Sequence, residues 1–272
     1  MPLVLTPLSM AGGPLSVDLS GIVPHAIRDL DRADIARLPI HADGRRAQLG
    51  EVFGLAGEPT DEVLECRGDF TRVHHVGASM TSGRIDVAGD VGRHAGAGMA
   101  GGILAISGSA GDWLAAEMTA GEVWVGGSVG DNAAAALPGS RFGIRGGLVV
   151  VRGSAGSLAG ARMRRGILAI GGDSGEAAGF EMRAGTVVIG GRVGPRAGLG
   201  MRRGSVIALS DRPAVPPTFR RGATWQPPFL PLLFRRLERG GFAPAHPSPS
   251  APWQHWHGDM LTGGRGELLF PA

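Results

Sequence analysis

Arg145, Arg164, Arg183 and Arg202 stand 19 residues apart from Arg145 onward, each directly after the opening residue of a recurring phrase, and Arg165 and Arg203 follow two of them. A guanidinium offers a rigid fork of N–H donors that matches a carboxylate or phosphate, so a row of them at fixed spacing is suited to a repeating anion. If the phrase forms strands side by side, the row is spaced at roughly 4.8 Å. Like charges so close repel unless a counter-charge is present, and Glu181 and Glu176 are the acids nearby in sequence. Three outcomes stay open: the side chains spread into solvent, an acidic partner meets them, or the row holds an extended polyanion.

The other residues capable of chemistry form no catalytic set. There is no H-E-x-x-H, no paired cysteine and no acid–base pair recurring at one place in the phrase. Cys66 is the single cysteine, which leaves no disulfide framework and no cysteine-based metal or iron–sulfur site. His74 and His75 are adjacent, and neighbours on a strand face opposite ways, so they read as structural. His255 and His257 are two apart and can face the same way, but no third ligand is evident. No catalytic residue and no metal ligand is expected.

The element that must position the arginines is the phrase itself, M-x-x-G-x-Φ-x-Φ-x-G-x-x-G with Φ aliphatic. It opens at Met80, Met99, Met118, Ile144, Met163, Met182 and Met201, with steps of 19, 19, 26, 19, 19 and 19 residues. A unit this short cannot bury its own apolar residues, so the copies must stack and share a core. Alternation of period two within each copy gives one strand per copy. One set of inward residues runs Ile85, Leu104, Val123, Val149, Leu168, Val187 and Val206. A second runs Val87, Ile106, Val125, Val151, Ile170, Ile189 and Ala208, and the opening residues make a third. The fold class expected is all-β, a right-handed parallel β-helix, the hand preferred by crossovers between parallel strands. A left-handed hexapeptide helix needs an aliphatic every six positions, which is absent. A disordered Gly/Ala segment is excluded by the strict placement of the aliphatics.

The flanks complete the expected organisation. Residues 1–63 form a capping segment, with short helices between Pro24 and Leu38, Asp31 as a cap, a turn at Asp43-Gly44 and apolar alternation over residues 48–55. Residues 64–210 form the solenoid, with Leu64, Cys66 and Gly68 as a degenerate entry coil. The seven extra residues of the long step fall within residues 131–142, a loop on one face. Residues 211–272 form a proline-rich extension with a helix over residues 229–239, aromatic anchors at Trp225, Phe242, Trp253 and Trp256, and a last strand over residues 266–270. The outward residues Trp124, Val150, Ala169, Val188 and Ile207 make an apolar strip that requires a cover, either another subunit or the C-terminal arm.

All 27 basic residues are arginine, against 24 acids, for a net charge of +3. That excess gives no argument for a nucleic-acid partner. Residues 1–20 have no positive n-region and contain Pro2, Pro7 and Pro14, unlike a signal peptide. No stretch has the apolar length of a membrane span. A soluble cytoplasmic protein without a membrane partner is expected.

The chain resembles the C subunit of formylmethanofuran dehydrogenase and of the bacterial formyltransferase/hydrolase complex. The resemblance is carried by the seven-fold phrase, by Ile22, Pro24 and Asp34-Ile35-Ala36-Arg37-Leu38, by Leu49-Gly50-Glu51-Val52-Phe53, and by the ending His257-Gly258-Asp259-Met260 with Gly264-Arg265-Gly266-Glu267. It implies a cytoplasmic hetero-oligomeric complex in one-carbon metabolism, handling formyl groups on a methanofuran-type carrier. Hydrolase and formyltransferase subunits are the implied partners; the C subunit supplies neither active site and binds no covalent cofactor. Such carriers bear glutamyl tails, so the resemblance names the polyanion for Arg145, Arg164, Arg165, Arg183, Arg202 and Arg203. The arginine-rich, cysteine-poor composition favours the hydrolytic complex over the redox one. The glutamate synthase large chain uses a similar G-x-G-x-G style, and a β-helix part of such an enzyme is the alternative.

Overall fold

The computed structural model describes residues 2–8, 15–210, 212–242, 248 and 251–272. The N-terminal elements are β1 (Leu3–Pro7), β2 (Val17–Asp18), α1 (Pro24–Ile27), α2 (Arg32–Ala36), β3 (Pro39–Ala42), β4 (Arg45–Gln48), α3 (Leu49–Val52) and β5 (Phe53–Ala56). Then come β6 (Val63–Arg67), β7 (Val73–His74), β8 (Arg84–Ala88), β9 (Ala100–Ile106), β10 (Ala120–Val125), β11 (Arg145–Val151), β12 (Arg165–Ile170), β13 (Thr186–Ile189) and β14 (Arg203–Ala208). The chain ends with β15 (Arg220–Trp225), α4 (Leu230–Arg239), β16 (Trp253–Gly258), a 3-10 turn (Met260–Thr262) and β17 (Arg265–Pro271).

One 13-stranded sheet runs β15-β16-β17-β14-β13-β12-β11-β10-β9-β8-β6-β1-β5. From β6 to β14 every neighbour is parallel, and the repeat register is the one the phrase predicts: Ile85 opposite Leu104, Val123 opposite Val149, Val187 opposite Val206. The first aliphatic set is fully buried, the second nearly so, and all seven opening residues are fully buried. Leu64 and Cys66 lie opposite Ile85 and Val87, which makes β6 the entry strand of the stack.

Successive repeats also touch away from the strands. Single parallel bridges link Phe70, Val91, Ala110, Val129, Ala155, Ser174 and Val193 in a second row. A third row is the backbone series in which Gly96, Ala115, Ala134, Gly160, Gly179 and Gly198 each donate to the carbonyl of the preceding repeat, at 2.7–2.8 Å. The phrase glycines permit that closeness. Gly102 has φ of +77°, and a Cβ there would lie 2.6 Å from the Gly83 carbonyl oxygen.

The N-terminal residues extend the sheet: β1 runs parallel to β6, and β5 antiparallel to β1, so the edge is β5. Asp31 caps α2 through the Asp34 amide at 2.7 Å, and Asp43-Gly44 turns the β3–β4 hairpin with φ of 47° and 74°. The alternation expected over residues 48–55 is corrected. Gln48 and Glu51 form a reciprocal capping box that starts α3 at Leu49, and the strand begins only at Phe53.

The C-terminal extension continues the stack. In β17, Leu268 lies opposite Val206 and Gly266 opposite Gly204, as though one more copy of the phrase followed. α4 then lies on the outward apolar strip. Leu230, Leu233, Phe234 and Leu237 form one buried cluster with Val150, Ala169, Val188, Ile207 and Trp253. The strip is therefore covered by this chain's own arm rather than by another subunit, because α4 has an apolar face that water would otherwise meet. Phe242 and Trp253 are buried as expected, whereas Trp225 is 40% exposed on the edge strand β15, with its ring 6.2 Å from that of His255.

Candidate functional site

The arginine row is built by the backbone. The amide of Arg145 donates to the Met118 carbonyl, that of Arg164 to Ile144, that of Arg183 to Met163 and that of Arg202 to Met182, at 2.7–2.9 Å. Each arginine thus hangs from the buried opening residue of the repeat before it. The strand register is irregular between β11 and β12, where Arg145 lies opposite Arg165. Arg203 lies opposite Arg265, a rung that the phrase count missed because β17 is remote in sequence.

The side chains keep to the surface. Arg145, Arg164, Arg165, Arg202 and Arg203 are exposed and Arg183 is half-buried. Among the described residues none of these six makes an ion pair. The two acids nearest in sequence serve other arginines: Glu181 accepts from Arg162 at 2.8 Å, and Glu176 pairs with Arg196. A row of like charges is left without an internal counter-ion among the described residues.

The insertion comes to the same place. The repeat closes beneath it through the Ile144 amide and the Ala134 carbonyl, at 3.1 Å, so residues between them form the excursion. Leu137 N–H donates to Glu117 Oε1 at 3.1 Å, and Arg162 Nη1 donates to the Ser140 carbonyl at 3.2 Å. At its end the Phe142 ring meets the guanidinium carbons of Arg164 at 5.1 Å, Arg183 at 5.2 Å and Arg141 at 5.8 Å. Aromatic content gave no sign of this, since Phe142 carries no periodic signal.

The histidines lie elsewhere. His74 Nδ1 accepts from the Arg93 amide at 3.0 Å, and burial lowers its pKa. His75 stacks on His94 with ring centroids 4.8 Å apart, and His94 stacks on Trp113 at 6.2 Å, an aromatic file at 19-residue spacing. His255 and His257 do face the same way, with centroids 4.0 Å apart, and His255 Nε2 is 3.3 Å from Glu267 Oε2. Burial, and then the charge of His257, push His255 down to about 4. Cys66 is fully buried and its thiol is pushed up to about 12, first by burial and then by Asp86. Among the described residues no three His, Cys, Asp or Glu side chains converge as a metal site. No described helix is long and apolar enough to cross a membrane.

No protein-family model matches the chain. Over 93 residues it is 37% identical to the C subunit of the molybdenum-containing formylmethanofuran dehydrogenase 1 of Methanothermobacter thermautotrophicus. Over 80 residues it is 38% identical to the C subunit of the formyltransferase/hydrolase complex Fhc of Methylorubrum extorquens. These alignments span 34% and 29% of this chain, and only 23% and 30% of the two relatives. Both relatives are subunits of enzyme complexes. The structural likeness covers far more: a chain in the crystal structure of the Methylorubrum extorquens formyltransferase/hydrolase complex with methylofuran superposes with a TM-score of 0.88. Identity there is 36%, and the match takes in 99% of both chains, so both flanks are included with the repeats. The chain belongs to the family of C subunits of formylmethanofuran dehydrogenases and formyltransferase/hydrolase complexes.

Proposed function

We propose that this chain is a non-catalytic scaffold subunit of a cytoplasmic formyltransferase/hydrolase complex, and that its arginine row holds the anionic tail of a methanofuran-type carrier. Its fold on this reading is a right-handed parallel β-helix over residues 64–210, flanked by the cap 1–63 and the extension 211–272. Three separate rows of contacts around one apolar core support the β-helix. The presence of methylofuran in the similar complex supports a carrier of that type. Hydrolase and formyltransferase subunits are the partners, and one-carbon units pass between them as formyl groups.

The observation that carries the reading is the row from Arg145 to Arg203 without an internal counter-ion among the described residues, its nearby acids committed to Arg162 and Arg196. Carboxylates spaced along a chain satisfy such a row through charge-assisted hydrogen bonds. Tethering the tail raises the local concentration of the formyl-bearing end at neighbouring active sites without chemistry by this subunit. The test is purification of the tagged chain from its own cell. Hydrolase and transferase subunits should co-purify in fixed ratio, and the chain freed of them should turn over no formylated carrier. Turnover by the partner-free chain, abolished by substitutions within it, would contradict the scaffold role.

A further inference from the structure

Resting on that anion-binding reading, we propose that Phe142 is a positioning residue for the bound polyanion. Its ring fixes the Arg164 and Arg183 guanidinium groups as a pair, so that successive carboxylates meet them in one geometry. The repeat explains why a special device is needed here. Arginine side chains on neighbouring rungs repel and would splay apart in water, and each has several freely rotating bonds to order when it binds. An aromatic face attracts a guanidinium within about 6 Å of its centroid. Phe142 satisfies that distance for Arg164 and Arg183 at once, at 5.1 and 5.2 Å, on consecutive rungs.

The rest of the excursion holds the ring in place. Arg162 grips both the loop, at the Ser140 carbonyl, and the next rung, at Glu181. Glu117 receives the Leu137 amide from the repeat before. The extra length of this one step in the repeat thus brings an aromatic ring to two rungs of the row. A guanidinium stacked by its face keeps its N–H edge free for a carboxylate, and ordering before binding removes part of the entropic cost of association.

The experiment uses the full chain and a labelled poly-L-glutamate, with affinity read by fluorescence anisotropy across a range of salt. Phe142→Ala is expected to weaken binding about fivefold, as the loss of two weak, exposed cation–π contacts implies. The slope of affinity against salt should stay that of the wild type, because no charge has been removed. Phe142→Leu, which keeps the apolar volume that supports the loop, should be weakened equally, and Phe142→Trp should restore binding. Arg164→Gln with Arg183→Gln should instead reduce the salt slope. Wild-type affinity in both Phe142→Ala and Phe142→Leu, beside a loss in the arginine pair, would overturn the role of the ring and leave the tail reading standing. Failure of the wild-type chain to bind the polymer at low salt would overturn both.

Discussion

Replacing Val188 by Asp tests the placement of the C-terminal helix. Val188 has no exposed surface, lies between Ala169 and Ile207 on neighbouring strands, and shares a cluster with Leu233, Phe234 and Leu237 of α4. Val188→Ala, the control, removes the equivalent of two methylene groups, about 1.6 kcal/mol at about 0.8 each, and about 2 with the cavity left behind. A carboxyl at that site has no partner. Keeping it neutral at pH 7, against an ordinary pKa near 4, costs about 1.4 kcal/mol per unit over about three units, hence about 4 kcal/mol. The least costly relief is release of α4, since the inward columns lie on the other side of the sheet. Urea unfolding followed by tryptophan fluorescence should show the loss, and trypsin should gain access to Arg235, Arg236 and Arg239, which are exposed but helical. The folded pKa of the new carboxyl lies above its unfolded one, so the charge penalty is present above about pH 4 and vanishes below it. Stability within about 1 kcal/mol of the wild type, with α4 still resistant to trypsin, would refute this packing of α4 on the strip.

Two further outcomes follow from local geometry. His255 is held down to about 4, so between there and about 6.5 the unfolded chain takes up a proton that the folded one refuses. Stability should fall as pH drops through that window. His255→Gln should make the fall shallower, despite the parallel contributions of His74 and His94, whose pKa values are also lowered; parallel thermal-melt curves against pH would contradict this. Gly240 ends α4 against Trp124, and a Cβ there would stand 1.8 Å from the Trp124 Cη2 atom. Gly240→Ala should therefore cost about 1–3 kcal/mol in thermal unfolding, as overpacking does.

The phrase made the stacked strands legible because period-two alternation and a 19-residue step, broken once between Met118 and Ile144, leave one register in which every aliphatic set is buried. Leu64 and Cys66, and Gly266 to Phe270, were readable as entry and exit strands for the same reason. β1 was not, since Leu3, Val4 and Leu5 make a short apolar run without the phrase glycines. Nor was α3, where the Gln48–Glu51 capping box outweighs the apolar alternation around it. The arginine row was visible as a spacing, but its lack of counter-ions was not. Glu181 and Glu176 were in reach by sequence, and only the fold commits them to Arg162 and Arg196. The site's aromatic component lay in an insertion, where no period constrains the reading. Arg265 lay beyond a proline-rich arm that hides its return to the stack.

The tether role of the arginine row is tested most sharply by steady-state kinetics of the assembled complex carrying Arg164→Gln, Arg183→Gln and Arg202→Gln together. The expected result is a raised apparent KM for a carrier with its full anionic tail, weaker salt sensitivity of that KM, and unchanged kinetics with a carrier lacking the tail. All three side chains are surface groups hung from backbone bonds that the substitution keeps, so assembly should survive. An intact complex with unchanged KM and salt dependence for the long-tailed carrier would contradict the tether.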